Sequence, residues 1–349
     1  MNEVLQIGGR FVGTGAPCFL VAEVGQAHDG SLGTAHAYVD AAADAGADAV
    51  KFQTHIAHAE STPGEPWRVR FSRQDETRFD YWKRMEFEPA QWRELAQHAR
   101  ERNLEFLSTP FSLDAIELLE QLELPAWKVG SGEIGNAVFL RRMAATGKPV
   151  ILSSGMSSWS ELDGAVELVR SNGAACAVLQ CTTEYPCPPE KVGLNVLDEL
   201  RKRYGVPVGL SDHSGQPFAG LAAAALGANL LEMHIVFSKR CFGPDTPASL
   251  TIDQFSELAR GVRFIERALK NPVDKEAEAR RLSELKRIFG RSIVAARALH
   301  AGQVLQPSDI ALKKPAGGLG ANDFDRIVGK RLRRELQVND IIREGDVEL

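Results

Sequence analysis

No CxxC pair occurs in the 349 residues, and the five cysteines, Cys18, Cys176, Cys181, Cys187 and Cys241, are an odd number. A disulfide framework and a thiolate zinc site are therefore not expected. Cys18, Cys176 and Cys181 sit in apolar strand contexts and read as small buried hydrophobes. No apolar run approaches the length of a membrane span, and the opening MNEVLQIGGRF lacks the basic start and apolar core of a secretory signal. A cytoplasmic location and no membrane partner are expected. Basic residues are not in excess: the net charge is −5 and the pI about 6.0, which gives no reason to expect a nucleic-acid partner. What is present, 44% hydrophobic and 25% charged residues with 31 glycines, reads as a soluble globular chain with many tight loops. The length suits two ordinary domains or one large barrel plus a small one.

Short apolar or β-branched runs recur along the chain: FLVAEVG (19–25), AVKFQTH (49–55), EFLSTPF (105–111), AWKVGSGE (126–133), PVILSSGM (149–156), CAVLQCT (176–182), PVGLSDH (207–213) and NLLEMHI (229–235). Between them lie segments with helical spacing, such as TAHAYVDAAADAG, PAQWRELAQHARERN, LDAIELLEQLE and FAGLAAAALG, several ending in Gly or Asn as helix C-termini do. Strand then helix, eight times, predicts an α/β fold, a (β/α)8 TIM barrel over residues 1–270. A doubly wound open sheet also alternates, but rarely for eight units with polar residues at almost every strand end. LQIGGRFVGTG reads as a β-hairpin ahead of the barrel, turning at Gly8 and Gly9. Residues 56–87 form a long connection rich in Arg and aromatics, either a lid over a polar substrate or a subunit contact. A charged helical linker (271–288) then leads to a small strand-rich domain (289–349). Within it ARALHAGQVLQPSDIAL and RRELQVNDIIREGDVEL share a plan: a charged residue, a short strand, a turn at AG or ND, an apolar pair, then an acid.

Alternate strand residues face the barrel interior. That parity groups Ser211 with His213, Glu232 with His234, and Lys51 with Gln53 and His55, all converging on the mouth where such barrels keep their sites. Two imidazoles on neighbouring strands, with acids close by, make a site for a divalent ion such as Mn²⁺. Glu23, on the first strand and so beside the eighth, is a third polar group there. A second constellation of Lys51, Lys128, Ser131, Ser153, Ser154 and Ser211 places two ammonium groups with Gly/Ser turns and hydroxyls, which suits a phosphate. A strand-end lysine could instead form a Schiff base with a carbonyl substrate, as in an aldolase or lyase.

The stretches AEVGQAHDGS, AVKFQTH, FLSTPFS, KVGSGE, ILSSGM, CTTEYP, GLSDHS and EMHI, followed by FGPD, cover nearly the whole barrel. Through them the sequence resembles the sialic acid synthases, a group of nonulosonic acid synthases that includes the spore-coat polysaccharide synthase relatives. RSIVAARALHAGQVLQPSDI and NDIIREGDVE resemble that family's antifreeze-like (SAF) domain. The resemblance implies condensation of phosphoenolpyruvate with an N-acyl hexosamine, typically N-acetylmannosamine, to a nine-carbon 2-keto acid plus phosphate. It implies that His213 and His234 hold Mn²⁺ or Mg²⁺, acting as a Lewis acid on the sugar aldehyde. It assigns Lys51, Thr109, Lys128, Ser131, Ser153 and Ser211 to phosphoenolpyruvate and Gln53, Tyr185, Glu232 and Asp245 to the sugar. Glu23 would assist proton transfer or orient the attacking water. It further implies a domain-swapped homodimer in which the SAF domain of one chain closes the other's barrel, an arginine of its RPG turn reaching the acyl group. Here the turn reads LKKPAGGLG, so Lys313 or Lys314 stands in that place, without the planar fork of arginine. Ala27 precedes His28 where the family commonly has Asn, and TPASLT after GPD differs from the forms associated with N-acetylmannosamine users. These departures leave a diamino-deoxy hexose open as the sugar. A non-catalytic carbohydrate-binding homologue would be marked by loss of the histidines or lysines, and neither is lost.

Overall fold

The computed structural model describes residues 4–348. The chain divides into two compact units, one running to Lys270 and one from Asn271 onward. The first unit opens with an antiparallel hairpin, β1 (Leu5–Ile7) and β2 (Arg10–Val12), whose turn uses Gly8 at φ +57. Eight parallel strands follow: β3 (Phe19–Gly25), β4 (Ala49–Thr54), β5 (Glu105–Pro110), β6 (Trp127–Val129), β7 (Val150–Ser153), β8 (Cys176–Cys181), β9 (Val208–Asp212) and β10 (Leu230–Val236). Their hydrogen-bonded order is β5-β4-β3-β10-β9-β8-β7-β6, and β5 and β6, the two ends of that path, lie side by side and close the barrel. A short β11 (Leu250–Thr251) extends β10.

A helix follows each barrel strand, and the local sequence marks where each begins. Ser31 accepts from Thr34 N, Ser112 from Ala115 N and Asn136 from Phe139 N, while Ser158 and Glu161 make a reciprocal capping box. The outward faces of the strands carry Leu20, Val50, Phe106, Leu152, Val178, Leu210, Leu231 and Met233, which pack under those helices in one continuous core. The β4 run ends one residue earlier than the sequence pattern suggests, and the AWKVGSGE strand stops at Val129, because Ser131–Glu133 turns into a 3₁₀ helix. No helix among the described residues is long and apolar enough to cross a membrane.

The inward faces divide by height. Toward the strands' N-termini, Phe19, Val21, Ala49, Leu107, Ala126, Ile151, Ala177, Leu179 and Leu230 form a second apolar cluster, plugged from below by Leu5, Ile7 and Val12 of the hairpin. Full burial of each large side chain here contributes roughly 1.5–3 kcal/mol. Gly209 is required in this layer: a Cβ would sit 2.2 Å from the Leu230 carbonyl oxygen and 2.8 Å from Leu179 Cδ2.

The second unit begins with two exposed helices, Lys275–Arg281 and Ser283–Phe289. Antiparallel β12 (Ser292–Ala295) and β13 (Ile310–Lys313) then flank a core of Ile293, Leu299, Leu305, Leu332, Leu336 and Ile342. The repeat seen in the sequence is a repeat in space. Arg297 Nε donates to Asp309 Oδ1 at 2.8 Å and Arg334 Nε to Asp346 Oδ1 at 2.6 Å. The backbone N–H groups of Gln306 and Arg343 donate to the other oxygens of the same two aspartates, each at 2.9 Å. Gly302 (φ +80) and Asn339 (φ +70) take the same left-handed turn position, and Leu299 pairs with Leu336 across the two copies.

Candidate active site

Two residues further along the same inward faces, every strand but one turns polar. Val21 is followed by Glu23, Ala49 by Lys51 and Gln53, Leu107 by Thr109, Ala126 by Lys128, Ile151 by Ser153, Gly209 by Ser211 and His213, and Leu230 by Glu232 and His234. β8 continues from Leu179 to Cys181 and Thr183. Strand register sets Glu23 beside Lys51, Glu232 beside Ser211 and His234 beside Glu23, while Lys128 pairs with Ile151 and Ser153 with Leu179, the stagger expected of tilted barrel strands. They line a cavity of about 390 Å³ at the C-terminal mouth.

At its base is a charge-balanced quartet. Lys51 Nζ lies 2.8 Å from Glu23 Oε2 and 3.9 Å from Glu232 Oε2, and Lys128 Nζ lies 3.1 Å from Glu232 Oε1. Hydroxyls complete the shells: Lys51 donates to Thr109 Oγ1 at 3.1 Å, Lys128 to Ser153 Oγ at 2.9 Å, and Ser211 Oγ to Glu232 Oε1 at 3.1 Å. Gln53 Nε2 donates to Glu23 Oε1 at 2.9 Å and accepts on its own oxygen from Gln26 at 3.0 Å. Burial alone would lower the Lys51 ammonium, but the Glu23 and Glu232 carboxylates outweigh it and hold its pKa above the ordinary value. For Glu232 the same contest runs the other way: burial would raise its pKa, and Lys128 and Lys51 pull it well below the usual carboxylate range. Lys51 is thus held as a paired ammonium ion, and Lys128 lies against Glu232, both within reach of an anionic ligand. A Schiff-base lysine needs the opposite, a depressed pKa and a free amine.

Above the quartet stand His213 and His234, ring centroids 5.5 Å apart. His213 Nδ1 lies 2.9 Å from the Thr182 carbonyl oxygen, which can only accept, so the proton is on Nδ1 and Nε2 carries the free lone pair. Burial, and next the neighbouring His234, lower the His213 pKa to about 4, so the ring is neutral at physiological pH. A neutral imidazole whose far nitrogen is tied to a carbonyl is the usual state of a metal ligand. The donor set therefore fits a divalent cation that takes two imidazoles and fills its remaining positions with oxygen from water or substrate. Among the described residues no group of three or more His, Cys, Asp or Glu is gathered to hold a metal. Glu23 stands beside the pair with its carboxylate facing Lys51 and Gln53.

Tyr185 lies with its ring centroid 4.1 Å from that of His213. Burial, and then the Asp245 carboxylate, push its phenol up, so it stays a neutral donor. Ser131 lines the cavity, its hydroxyl 3.1 Å from that of Thr183. It is seated by Gly155, where φ is +34 and a Cβ would fall 2.0 Å from the Ser131 Cβ. All the barrel residues proposed for the site except Ser154 line the cavity, Asp245 among them. One expectation changes. Ser154 leaves the anion constellation: one position out of phase with Ser153, it hydrogen-bonds Gln180 at 3.3 Å and accepts from Cys181 N at 3.3 Å, tying β7 to β8. Glu232 faces the two lysines and Ser211 and supplies their counter-charge. His55 stacks between Trp82 and Phe111, at 4.0 and 4.5 Å, with Nδ1 2.6 Å from Glu60, and so braces the 56–87 segment. Lys314 belongs to the second unit, exposed with its ammonium 5.1 Å from the Phe289 ring centroid, while Lys313 donates to Asn339. Absent from the sequence reading were Arg68, Thr183, Gln26 and a cavity-lining role for Cys181. Strand parity beyond Leu179 would have found Cys181 and Thr183; no periodicity marks Arg68.

The sequence profile of the NeuB family matches residues 38–274, and that of the SAF domain residues 290–348. The chain belongs to the NeuB family. It is 34% identical to the N,N'-diacetyllegionaminic acid synthase of Campylobacter jejuni, over 93% of this chain and 98% of that protein. It is also 34% identical to the human N-acetylneuraminate-9-phosphate synthase, over 97% of this chain and 95% of the relative. Among solved structures, the spore coat polysaccharide biosynthesis protein SpsE of Bacillus subtilis superposes with a TM-score of 0.67 at 31% identity, covering 99% of both chains. The mouth described above is therefore set in a NeuB-family barrel followed by a SAF domain.

Proposed function

We propose that this chain joins phosphoenolpyruvate to the aldehyde of an N-acyl hexosamine. The product is a nine-carbon 2-keto sugar acid for surface polysaccharide biosynthesis, and inorganic phosphate is released. The sugar is N-acetylmannosamine or a diamino-deoxy hexose, and the reaction runs in the cytoplasm. The names of the NeuB-family relatives, synthases of legionaminic and neuraminic acids, support the reaction class. The observation that carries the reading is the buried quartet of Lys51, Lys128, Glu23 and Glu232 directly beneath two imidazoles. A phosphate-carboxylate substrate is matched by two ammonium groups, and an aldehyde by an electrophile-binding pair.

The phosphate and carboxylate of phosphoenolpyruvate bind Lys51 and Lys128, with the hydroxyls of Thr109, Ser131, Ser153 and Ser211 completing the shell. Glu232 keeps the lysines charged and fixed before substrate arrives. Gln53, Tyr185 and Asp245 hold the sugar by hydrogen bonds. As C3 of phosphoenolpyruvate bonds to the aldehyde carbon, the aldehyde C=O opens and its oxygen takes a proton to become a hydroxyl. Water adds to C2 with loss of a proton, and cleavage of the C2–O bond releases phosphate as the new hydroxyl gives up its proton to leave the 2-keto acid. Glu23, held by Lys51 and Gln53, orients that water and takes its proton. His213 and His234 would hold a divalent cation, Mn²⁺ in preference to Mg²⁺ because imidazole suits the softer ion, and that ion would supply Lewis-acid polarisation of the aldehyde.

We also propose a domain-swapped homodimer in which Lys314 of one chain serves the other's barrel. Lys314→Arg is expected to change the relative use of acyl sugars while leaving the KM for phosphoenolpyruvate in place. The test of the reaction is phosphate release from phosphoenolpyruvate by metal-stripped protein with Mn²⁺ restored, across N-acetylmannosamine, its 6-phosphate and the diamino-deoxy hexoses. Release that needs both metal and one sugar is expected. Borohydride trapping of a substrate adduct, with activity indifferent to chelator, would replace this reading with the aldolase.

A further inference from the structure

The segment 56–87 is tied down at two places of different character. At its base Arg84 makes paired hydrogen bonds to Asp75, at 2.9 and 2.7 Å, and another at 2.7 Å to Asp29. There Tyr81, Trp82 and Met85 bury an apolar cluster against Trp67 and Phe71. This is a structural anchor: two acids satisfy one guanidinium beside a packed core.

At its tip Arg68 reaches over the mouth. Its Nη2 donates to Asp245 Oδ1 at 2.7 Å and to the Pro244 carbonyl at 3.1 Å, and its guanidinium carbon lies 4.2 Å from the Tyr185 ring centroid. These partners stand on the loops after β10 and β8, so one side chain joins three separate loops lining the cavity. Arg68 is not buried; 39% of its side chain remains exposed, against 24% for Arg84. An exposed ion pair of this kind adds little to stability, so what it supplies is geometry. Tyr185 is pinned by Arg68 while it lies against His213. Among the described residues Arg68 is the only side-chain partner of the Asp245 carboxylate and engages Oδ1, leaving Oδ2 for a hydroxyl or amide N–H of a bound ligand. Lysine lacks the planar face that lies over the tyrosine while one guanidinium nitrogen donates to Asp245 and Pro244.

We propose that Arg68 is a positioning residue for the acyl sugar: it sets the orientation of Tyr185 and Asp245 and holds the segment across the cavity. It thereby governs sugar binding and leaves the lysine end of the site untouched. This rests on the reading that the mouth condenses phosphoenolpyruvate with such a sugar. The test compares Arg68→Ala and Arg68→Lys with the unaltered protein, by the KM for each substrate using whichever panel sugar gives turnover, and by the rate of tryptic cleavage after Arg70 and Arg73. Arg68→Ala is expected to raise the sugar KM about tenfold or more, with the phosphoenolpyruvate KM within about twofold. Cleavage should be faster and the melting temperature within a few degrees. Arg68→Lys should recover part of the sugar KM but not all of it. Equal changes in both KM values, full recovery by lysine, or no change would overturn the proposal. If the unaltered protein turns over no sugar in the panel, the synthase reading fails instead. The cleavage rate then decides Arg68 alone, and a rate unchanged in Arg68→Ala would overturn it.

Discussion

The two ends of the barrel interior are built from the same strands and the same faces, yet they do opposite work. The floor, from Phe19 and Val21 round to Ile151, Leu179 and Leu230, is an apolar cluster sealed by the hairpin residues Leu5, Ile7 and Val12. The mouth, two residues further along, gathers two lysines, two glutamates and two histidines, all buried. Burying charge costs several kcal/mol per ion unless each is paired, and the quartet pairs every one of its ions. The floor is thus where the barrel gains stability, and the mouth is where that stability is used to hold polar groups in fixed positions. The division arises within each strand, where the inward residue two positions on from the apolar one turns polar in seven of the eight. The register staggers from strand to strand, as in the pairs Lys128 with Ile151 and Ser153 with Leu179.

If the division is right, changes at the mouth should remove activity and leave the fold, and changes at the floor should do the reverse. The largest effect is expected from His213→Ala and His234→Ala, each lowering turnover by about a thousandfold or more with an unchanged circular dichroism spectrum. Near-normal turnover in either would remove the imidazole pair from the reaction. Next, Lys128→Met leaves Glu232 without its close partner and is expected to cost about 3–5 kcal/mol in denaturant unfolding, besides eliminating turnover. In Lys128→Met with Glu232→Leu the stability should return and the turnover should not. At the floor, Ile151→Ala is expected to lose about 2–5 kcal/mol while its KM values, measured well below the melting temperature, stay within about twofold.

The smallest effect is a pH dependence. Burial lowers the His28 pKa to about 3 and the His213 pKa to about 4, both below the unfolded value near 6.5. The unfolded chain therefore binds more protons in that window, and stability should fall as pH drops from about 6.5 toward 4. The apolar floor adds nothing to this slope. Melting temperatures from pH 7.5 to 4.5 should show the decline, and His213→Ala should flatten it.

The division was readable in the sequence wherever period-two alternation ran unbroken. β10 shows this most clearly: Leu230, Glu232 and His234 alternate with Leu231, Met233 and Ile235, and the barrel follows that parity. Ser154 was misplaced because a Gly/Ser turn was read by composition, although its parity against Ser153 already sets it on the other face. The pairing of Lys128 with Glu232 was beyond reach, since it joins β6 and β10 across the barrel, and that of Lys51 with Glu23 needs the register of β4 on β3, which alternation alone does not fix. Arg68 lies in a loop without period, so only the folded contacts with Asp245 and Tyr185 distinguish it from Arg70 or Arg73 beside it.

The central claim, that the paired ions at the mouth bind phosphoenolpyruvate beneath a metal held by His213 and His234, is tested most directly by Mn²⁺ titration of metal-stripped protein. Bound metal would be followed by electron paramagnetic resonance and phosphate release by direct assay in the same samples. Turnover should rise in proportion to the metal bound, with both signals lost in His213→Ala. Full turnover by stripped protein in the presence of chelator, or strong Mn²⁺ binding that survives the loss of His213, would contradict it.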